Sequence, residues 1–172
     1  MISLIAAVAR NRAIGFQNKL LYWLPDDLKR FKALTTGHAV LMGRKTFFSL
    51  PHGALPERRN LVLSRTRTHF PGAETFPSLG AALAAVAAED TVFAIGGESV
   101  YREAMPLAET MHLTLVDDAP EADAFFPAWD PGKVRFTVAS MLPIAFAALA
   151  KAPASTKIHS IIIRLPVPAP RL

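Results

Sequence analysis

Short continuous runs of apolar residues, separated by glycine, proline or polar residues, recur along the whole chain. Such runs are typical of strands that are buried on both faces, as in parallel sheets covered by helices. The last two runs are rich in β-branched residues, which favours an antiparallel hairpin. Strands are therefore predicted at residues 2–9, 39–42, 61–63, 91–95 and 111–116, with the hairpin at 134–139 and 158–164.

Predicted helices alternate with these strands. Residues 25–34 begin with a proline, which is tolerated at the first helical position. A brief helix follows Gly43, an alanine-rich helix over 79–88 is capped by Ser78, and another spans 99–104. The alternation predicts a single-domain α/β fold with a mostly parallel central sheet, a C-terminal antiparallel hairpin and flanking helices.

Three stretches carry weaker patterns. Residues 11–24 contain few periodic apolar positions, which indicates a long loop. Residues 141–153 are alanine-rich, and both helix and loop remain open there. The domain is predicted to span residues 1–165. Residues 166–172 form a Pro-rich tail that cannot continue a central strand.

The composition restricts the classes of function. With 51% hydrophobic and 19% charged residues the chain is an ordinary globular protein, and without cysteine it has no thiolate metal site or cysteine nucleophile. The histidines lack metal-ligand spacing, so no metal site is expected. No apolar run approaches the roughly 18 residues that span a bilayer, so a cytoplasmic protein without membrane contact is expected.

The formal net charge of +5 is scattered along the chain. A basic surface can attract nucleic acid, acidic lipid or a small anionic ligand. A nucleic-acid-binding module would need a clustered basic and aromatic surface, which the scatter disfavours. A small anionic ligand is therefore favoured, and no nucleic-acid partner is expected.

A carboxylate heads the apolar face of the first predicted helix. Asp27, Leu28, Phe31 and Leu34 share this face, whereas Lys29, Arg30 and Lys32 are expected mostly on other faces. A buried carboxylate costs several kcal/mol unless a partner satisfies it, and a ligand that donates hydrogen bonds is one such partner. Alternatively, Asp26 and Asp27 only favour the positive end of the helix dipole.

Three segments after predicted strands could bind an anion: two are turns that contain glycine, and the third, Ser64-Arg65, pairs a hydroxyl with a base. Parallel strands present their ligand sites at their carboxyl ends, and glycines there allow the backbone to approach an anion. For each turn the alternative is an ordinary solvated or tight turn. The segments are Met42-Gly43-Arg44-Lys45-Thr46, Ser64-Arg65 and Ile95-Gly96-Gly97-Glu98-Ser99-Val100-Tyr101.

In order and spacing, these segments resemble the dihydrofolate reductase family over nearly the whole chain. The resemblance implies the fold of that family. Its motifs are Asn11-Arg12-Ala13-Ile14-Gly15-Phe16-Gln17-Asn18, Leu24-Pro25-Asp26-Asp27-Leu28-Lys29-Arg30-Phe31-Lys32, Met42-Gly43-Arg44-Lys45-Thr46-Phe47, Leu55-Pro56-Glu57-Arg58, Ile95-Gly96-Gly97 with Tyr101, and Asp123 with Phe126-Pro127.

The resemblance also implies a reaction. Hydride from NADPH would reduce 7,8-dihydrofolate to 5,6,7,8-tetrahydrofolate at pterin C6, with protonation at N5, in support of one-carbon and thymidylate metabolism. Antifolate-type inhibitors would share the site, and a monomer is the default. The catalytic roles would fall to Asp27, Tyr22 and Thr114. The residues implied to contact substrate are Ile5, Ala6, Asp27, Leu28, Phe31, Leu50, Leu55, Arg58, Ile95 and Thr114.

For the cofactor, the resemblance implies that Arg44, Ser64 and Arg65 bind the ribose 2′-phosphate, so that NADPH is preferred over NADH. Lys45, Thr46 and the Gly96–Ser99 turn would bind the pyrophosphate. The remaining residues implied to contact NADPH are Ala7, Ile14, Gly15, Asn18, Gly43, Leu63, Ile95, Gly96, Gly97, Glu98, Ser99, Val100 and Tyr101.

Leu21 and Tyr22 occupy positions where the family usually has Pro-Trp. Either the Tyr22 hydroxyl replaces the indole N–H, or Trp23 turns inward by a local shift. A related reductase that acts on another pyrimidine or pterin is a rival interpretation. Such proteins resemble this chain in the cofactor turns but generally lack the helix acid, so Asp27 favours folate.

Overall fold

The computed structural model describes residues 1–87, 91–130, 135–140 and 158–165. The strands are β1 (Ile2–Ala9), β2 (Ala13–Phe16), β3 (Lys19–Leu20), β4 (Ala39–Gly43), β5 (Arg59–Leu63), β6 (Glu74–Phe76), β7 (Val92–Gly96), β8 (Thr110–Val116), β9 (Ala124–Phe125), β10 (Arg135–Ser140) and β11 (Ile158–Arg164). The helices are α1 (Pro25–Thr35), α2 (Arg44–Ser49), α3 (Leu79–Ala85) and α4 (Glu98–Ala104), followed by a 3-10 turn at Met105–Leu107.

Eight strands form the central sheet in the order β10-β11-β8-β1-β7-β4-β5-β6. The six strands from β8 to β6 are parallel, whereas β11 runs antiparallel to β8 and pairs with β10 as a hairpin. The predicted α/β fold with its mostly parallel sheet and C-terminal hairpin is therefore confirmed. The predictions for residues 141–153 and 166–172 lie outside the described residues.

A second sheet of three short strands has the order β3-β2-β9, and β2 and β3 lie in the segment 11–24 that was predicted as loop. That prediction was wrong because strands of two to four residues are too short for an apolar period. Gly15 pairs with Leu20 and Phe16 with Lys19, so Gln17 and Asn18 form the connecting turn. Both turn residues have positive φ, 50° and 59°, as a two-residue hairpin turn requires.

Strand β6 and helix α3 also differ from the prediction. Strand β6 has no apolar run of its own and was missed. Helix α3 ends at Ala85 and not at residue 88, and its C-cap Val86 has φ −118°, outside the helical range. The predicted cap is confirmed, because the Ser78 hydroxyl accepts a hydrogen bond from the Ala81 N–H at 3.2 Å.

Apolar side chains of the central strands divide between the two faces of the sheet. Leu41 belongs to the larger buried cluster with Leu4 and Leu113, whereas its neighbours Val40 and Met42 belong to a second cluster. Successive side chains of a strand point to opposite faces of the sheet, which causes this division. Helices α3 and α4 contribute to the first cluster, and α1 and α2 to the second. In the described part of the chain, no helix is long and apolar enough to cross a membrane.

Candidate active site

A groove of about 1530 Å³ lies at the carboxyl ends of β1, β4 and β7, where the chain leaves the sheet. Pockets for a single drug-sized ligand hold roughly 300–1,000 Å³, so this groove has room for two ligands side by side. Apolar residues of β1 and α1 form one end, and the glycine turns after β4 and β7 form the other. The groove therefore has two chemically distinct halves.

All but one of the site residues predicted from sequence line this groove. The exception is Thr114, whose side chain is fully buried behind Asp27. Prediction from sequence missed several lining residues, among them Phe16, Leu20, Lys32, Pro51 and Ala124. Of these, Lys32 could have been found from its position four residues after Leu28 on the same helix.

Asp27 is held at the apolar end of the groove, in the first turn of α1. Its side chain is 19% exposed, and its Oδ1 accepts a hydrogen bond from the Thr114 hydroxyl. Burial raises the pKa of Asp27 above its ordinary value, while the Thr114 hydrogen bond and the charge of Arg30 lower it. The site thus combines a partly desolvated acid with groups that support its charged form.

Arg30 also points toward this acid, although it was expected on another face of the helix. Its Nη1 lies 3.9 Å from Asp27 Oδ1 and 3.5 Å from Thr114 Oγ1. The expectation was wrong because residues three apart are neighbours on a helix, so Arg30 lies beside Asp27. The prediction placed the charged side chains mostly on other faces of the helix and did not consider this spacing.

The turn after β7 packs tightly against α4. Gly96 has φ +123°, and a Cβ at this position would lie 3.3 Å from the Tyr101 ring. The Tyr101 hydroxyl donates a 2.7 Å hydrogen bond to the Ile5 carbonyl, which ties α4 to β1. A Cβ at Gly43 would lie 3.4 Å from Val100, so the turn after β4 approaches the same helix closely. Glycine at both turns leaves backbone exposed to a ligand in the groove.

Basic side chains border the far end of the groove. Arg44, Lys45 and Arg65 are exposed there, and Arg44 Nη1 donates to Thr66 Oγ1 at 2.8 Å. The Ser64 hydroxyl accepts a 3.0 Å hydrogen bond from the Arg67 N–H, which fixes the turn after β5. Two guanidinium groups and an ammonium at one rim suit a multiply charged anion such as a phosphate.

Arg58 lies at the other rim and is oriented by its own neighbours. Its Nε donates to Thr35 Oγ1 at 3.1 Å, and its Nη1 donates to the Pro56 carbonyl at 2.6 Å. The half-buried guanidinium is therefore held beside the apolar end of the groove, where it can meet a carboxylate.

The segment between β3 and α1 closes the groove from one side. Tyr22 is half-buried, and its hydroxyl donates a 3.0 Å hydrogen bond to Asp118 Oδ2. Burial raises the pKa of the Tyr22 phenol, and Asp118 adds to this effect. Trp23 also borders the groove and is 59% exposed, so Tyr22 is the more buried of the two aromatic residues. No group of three or more metal-ligating side chains occurs among the residues described.

These observations define an α/β enzyme with a buried acid and a two-part groove. The family model for dihydrofolate reductase matches residues 1–142. A dihydrofolate reductase of Neisseria meningitidis serogroup A is 49% identical over 130 residues, which cover 75% of this chain and 80% of the relative. Dihydrofolate reductase type 3 of Salmonella typhimurium is 45% identical over 128 residues, covering 74% and 78%. The chain belongs to the dihydrofolate reductase family.

Proposed function

We propose that this enzyme reduces 7,8-dihydrofolate to 5,6,7,8-tetrahydrofolate with NADPH, and so supplies one-carbon and thymidylate metabolism. The observation that carries the proposal is Asp27, a carboxylate in the apolar half of a groove whose other half is lined by glycine turns and basic residues. Family membership supports the same reaction.

The residues of the second half fit a phosphorylated dinucleotide. Gly43 and Gly96 let the two turns pack closely against Val100 and Tyr101 of α4, and Arg44, Lys45 and Arg65 supply positive charge along the rim. Arg44, Ser64 and Arg65 would hold the ribose 2′-phosphate, which favours NADPH over NADH. Lys45, Thr46 and the turn at Gly96 and Gly97 would hold the pyrophosphate. When bound, NADPH supplies the hydride that pterin C6 accepts.

In the first half, Asp27 would hold the pterin through the amino group and a ring nitrogen, which both donate to a carboxylate. The apolar walls formed by Ile5, Leu28 and Phe31 exclude water from this end. In a water-poor site burial raises the pKa of the Asp27 carboxyl, which favours its protonated form and a part in protonation at N5. Arg58 would bind the glutamate tail of the substrate. The chain's own contribution is therefore orientation and proton placement.

Oxidation of NADPH in the presence of dihydrofolate tests this proposal. We expect turnover by the wild type, weak activity with NADH, and a loss of about 10²–10⁴-fold in kcat for Asp27→Asn, because asparagine cannot hold the proton. Asp26→Asn is the matched control, since Asp26 is exposed on the same helix and does not border the groove.

The outcomes separate the parts of the proposal. An unchanged rate in Asp27→Asn would refute the role of the acid. Tight binding of NADPH without turnover of dihydrofolate would leave the cofactor assignment standing and direct the search to another pterin or to a pyrimidine.

A further inference from the structure

Arg30 places a positive charge behind the buried acid. It follows Asp27 by three residues on α1, and only 22% of its side chain is exposed. Its guanidinium contacts Asp27 Oδ1 at 3.9 Å and Thr114 Oγ1 at 3.5 Å. Arg30 does not line the groove, so it reaches the carboxylate from the protein side while a ligand would reach it from the other.

This guanidinium occupies an unfavourable environment. Burial lowers the pKa of Arg30, and its Nη2 is buried without a hydrogen-bond partner among the described residues. The same holds for the neighbouring His112 Nδ1, and both burial and the charge of Arg30 lower the pKa of that histidine. A charge in such a place is costly unless another charge offsets it. Within the described part of the chain, its ion-pair partner is Asp27.

Among the residues that the structure describes, the other elements around Asp27 offer no comparable charge. Strand β8 presents the neutral hydroxyl of Thr114 and, beside Arg30, the imidazole of His112. Helix α4 presents the Tyr101 phenol, which burial keeps protonated by raising its pKa and which donates to the Ile5 carbonyl. The Tyr22 hydroxyl donates to Asp118. Arg30 is therefore the cation that faces the acid in the region described.

We propose that Arg30 is a positioning residue for Asp27, which offsets the burial of the carboxylate and so sets the pH range in which the enzyme works. The inference rests on the proposed function and deepens it. Without Arg30, burial would act on Asp27 with only Thr114 opposing it. The carboxylate would then hold its proton to higher pH and lose the charge that anchors a substrate.

The test compares the pH dependence of kcat/KM for dihydrofolate in the wild type, Arg30→Met and Arg30→Lys. An opposite charge within 4–6 Å shifts a carboxyl pKa by roughly 1–3 units, so the apparent pKa should rise by about 1 unit in Arg30→Met. Arg30→Lys keeps a charge on the same face and should largely restore the wild-type profile.

Lys29→Met is the matched control. Lys29 neighbours Arg30, forms an ion pair with Asp26 at 3.6 Å and is 81% exposed. It lies outside the groove, and solvent screens its charge, so its removal should leave the profile unchanged. A uniform loss of activity in Arg30→Met, without a shift of the profile, would indicate a purely structural role and overturn the proposal.

A second readout needs no turnover. The protonated carboxyl stretch of Asp27 can be titrated by infrared difference spectroscopy and assigned by its absence in Asp27→Asn. The midpoint should move to higher pH in Arg30→Met and stay in Lys29→Met, whereas equal midpoints in all three proteins would refute the role of Arg30. Because this titration is independent of substrate, it distinguishes failure of the inference from failure of the proposed reaction.

Discussion

Under the proposed function, Asp27 is the residue at which activity and stability conflict most directly. Its carboxylate is placed in a desolvated position, where the charged form is disfavoured. The same desolvation gives the acid a pKa closer to neutral pH, which is useful for protonation of a substrate. A residue kept for catalysis at a cost in stability is a common compromise in enzymes.

The free energy of unfolding should depend on pH because of the burial of Asp27. Because the folded-state pKa of Asp27 is raised above the ordinary value of 3.8, folding favours the protonated form of the acid. Its contribution to the free energy of unfolding is fully present below pH 3.8 and is lost as pH rises through the folded-state pKa.

Asp27→Asn removes this charge, so the variant should have a higher Tm than the wild type at neutral pH. The difference should narrow as the pH falls toward 3.8. Thermal unfolding at several pH values measures it, with exposed Asp26→Asn as the control. A lower Tm for Asp27→Asn at neutral pH would show that the ion pair with Arg30 outweighs burial.

At the scale of elements, the sequence was most informative where apolar runs were long. Every long strand of the central sheet and helix α1 lie within a few residues of their predicted positions, because burial on both faces produces continuous apolar runs. The Ser78 cap was predictable from a local rule, since a hydroxyl can satisfy a free N–H group at a helix start.

The short elements were not predictable from such runs. Strands β2, β3 and β9 owe their pairing to the turn at Gln17 and Asn18 and to partners about 100 residues away. The inward position of Arg30 depends on a threonine in β8, which no local pattern links to α1. The location of the site at the carboxyl ends of the strands could be predicted from topology. The groups that contact Asp27 from the protein side could not, because they depend on tertiary contacts.

A hydrogen bond from the Tyr22 hydroxyl to Asp118 connects the segment between β3 and α1 to the residues that follow β8. Tyr22→Phe removes the hydrogen bond to Asp118, which is worth about 1 kcal/mol. Amide exchange in β2 and β3 should therefore become roughly fivefold faster, if local opening of this segment controls exchange there. A double-mutant cycle with Asp118→Ala checks the assignment, because the second substitution should add little to the first. If amide exchange in β2 and β3 is unchanged in Tyr22→Phe, the hydrogen bond to Asp118 does not stabilise this segment.

At the scale of the whole molecule, stability depends on two apolar clusters on opposite faces of one sheet. Leu41 is fully buried in β4, between β5 and β7. Leu41→Ala should lower the free energy of unfolding by about 2–5 kcal/mol, because the rigid surroundings cannot fill the space. Denaturant titration measures this loss. Leu107→Ala, at a position that is 41% exposed, should change the midpoint little, and equal effects of the two would argue against the described core.

The place of β1 in the sheet has a consequence for how the protein is made. This strand is synthesised first, yet its neighbours are β7 and β8, and Ser3 lies 107 residues from its partner Thr110. Strand β1 therefore cannot be paired on both sides until residue 116 has emerged from the ribosome. Until β7 has been synthesised, the nascent chain displays β1 as an unpaired apolar segment, which is the kind of segment that chaperones bind. Contacts this distant also make closure of the sheet slow compared with helix formation.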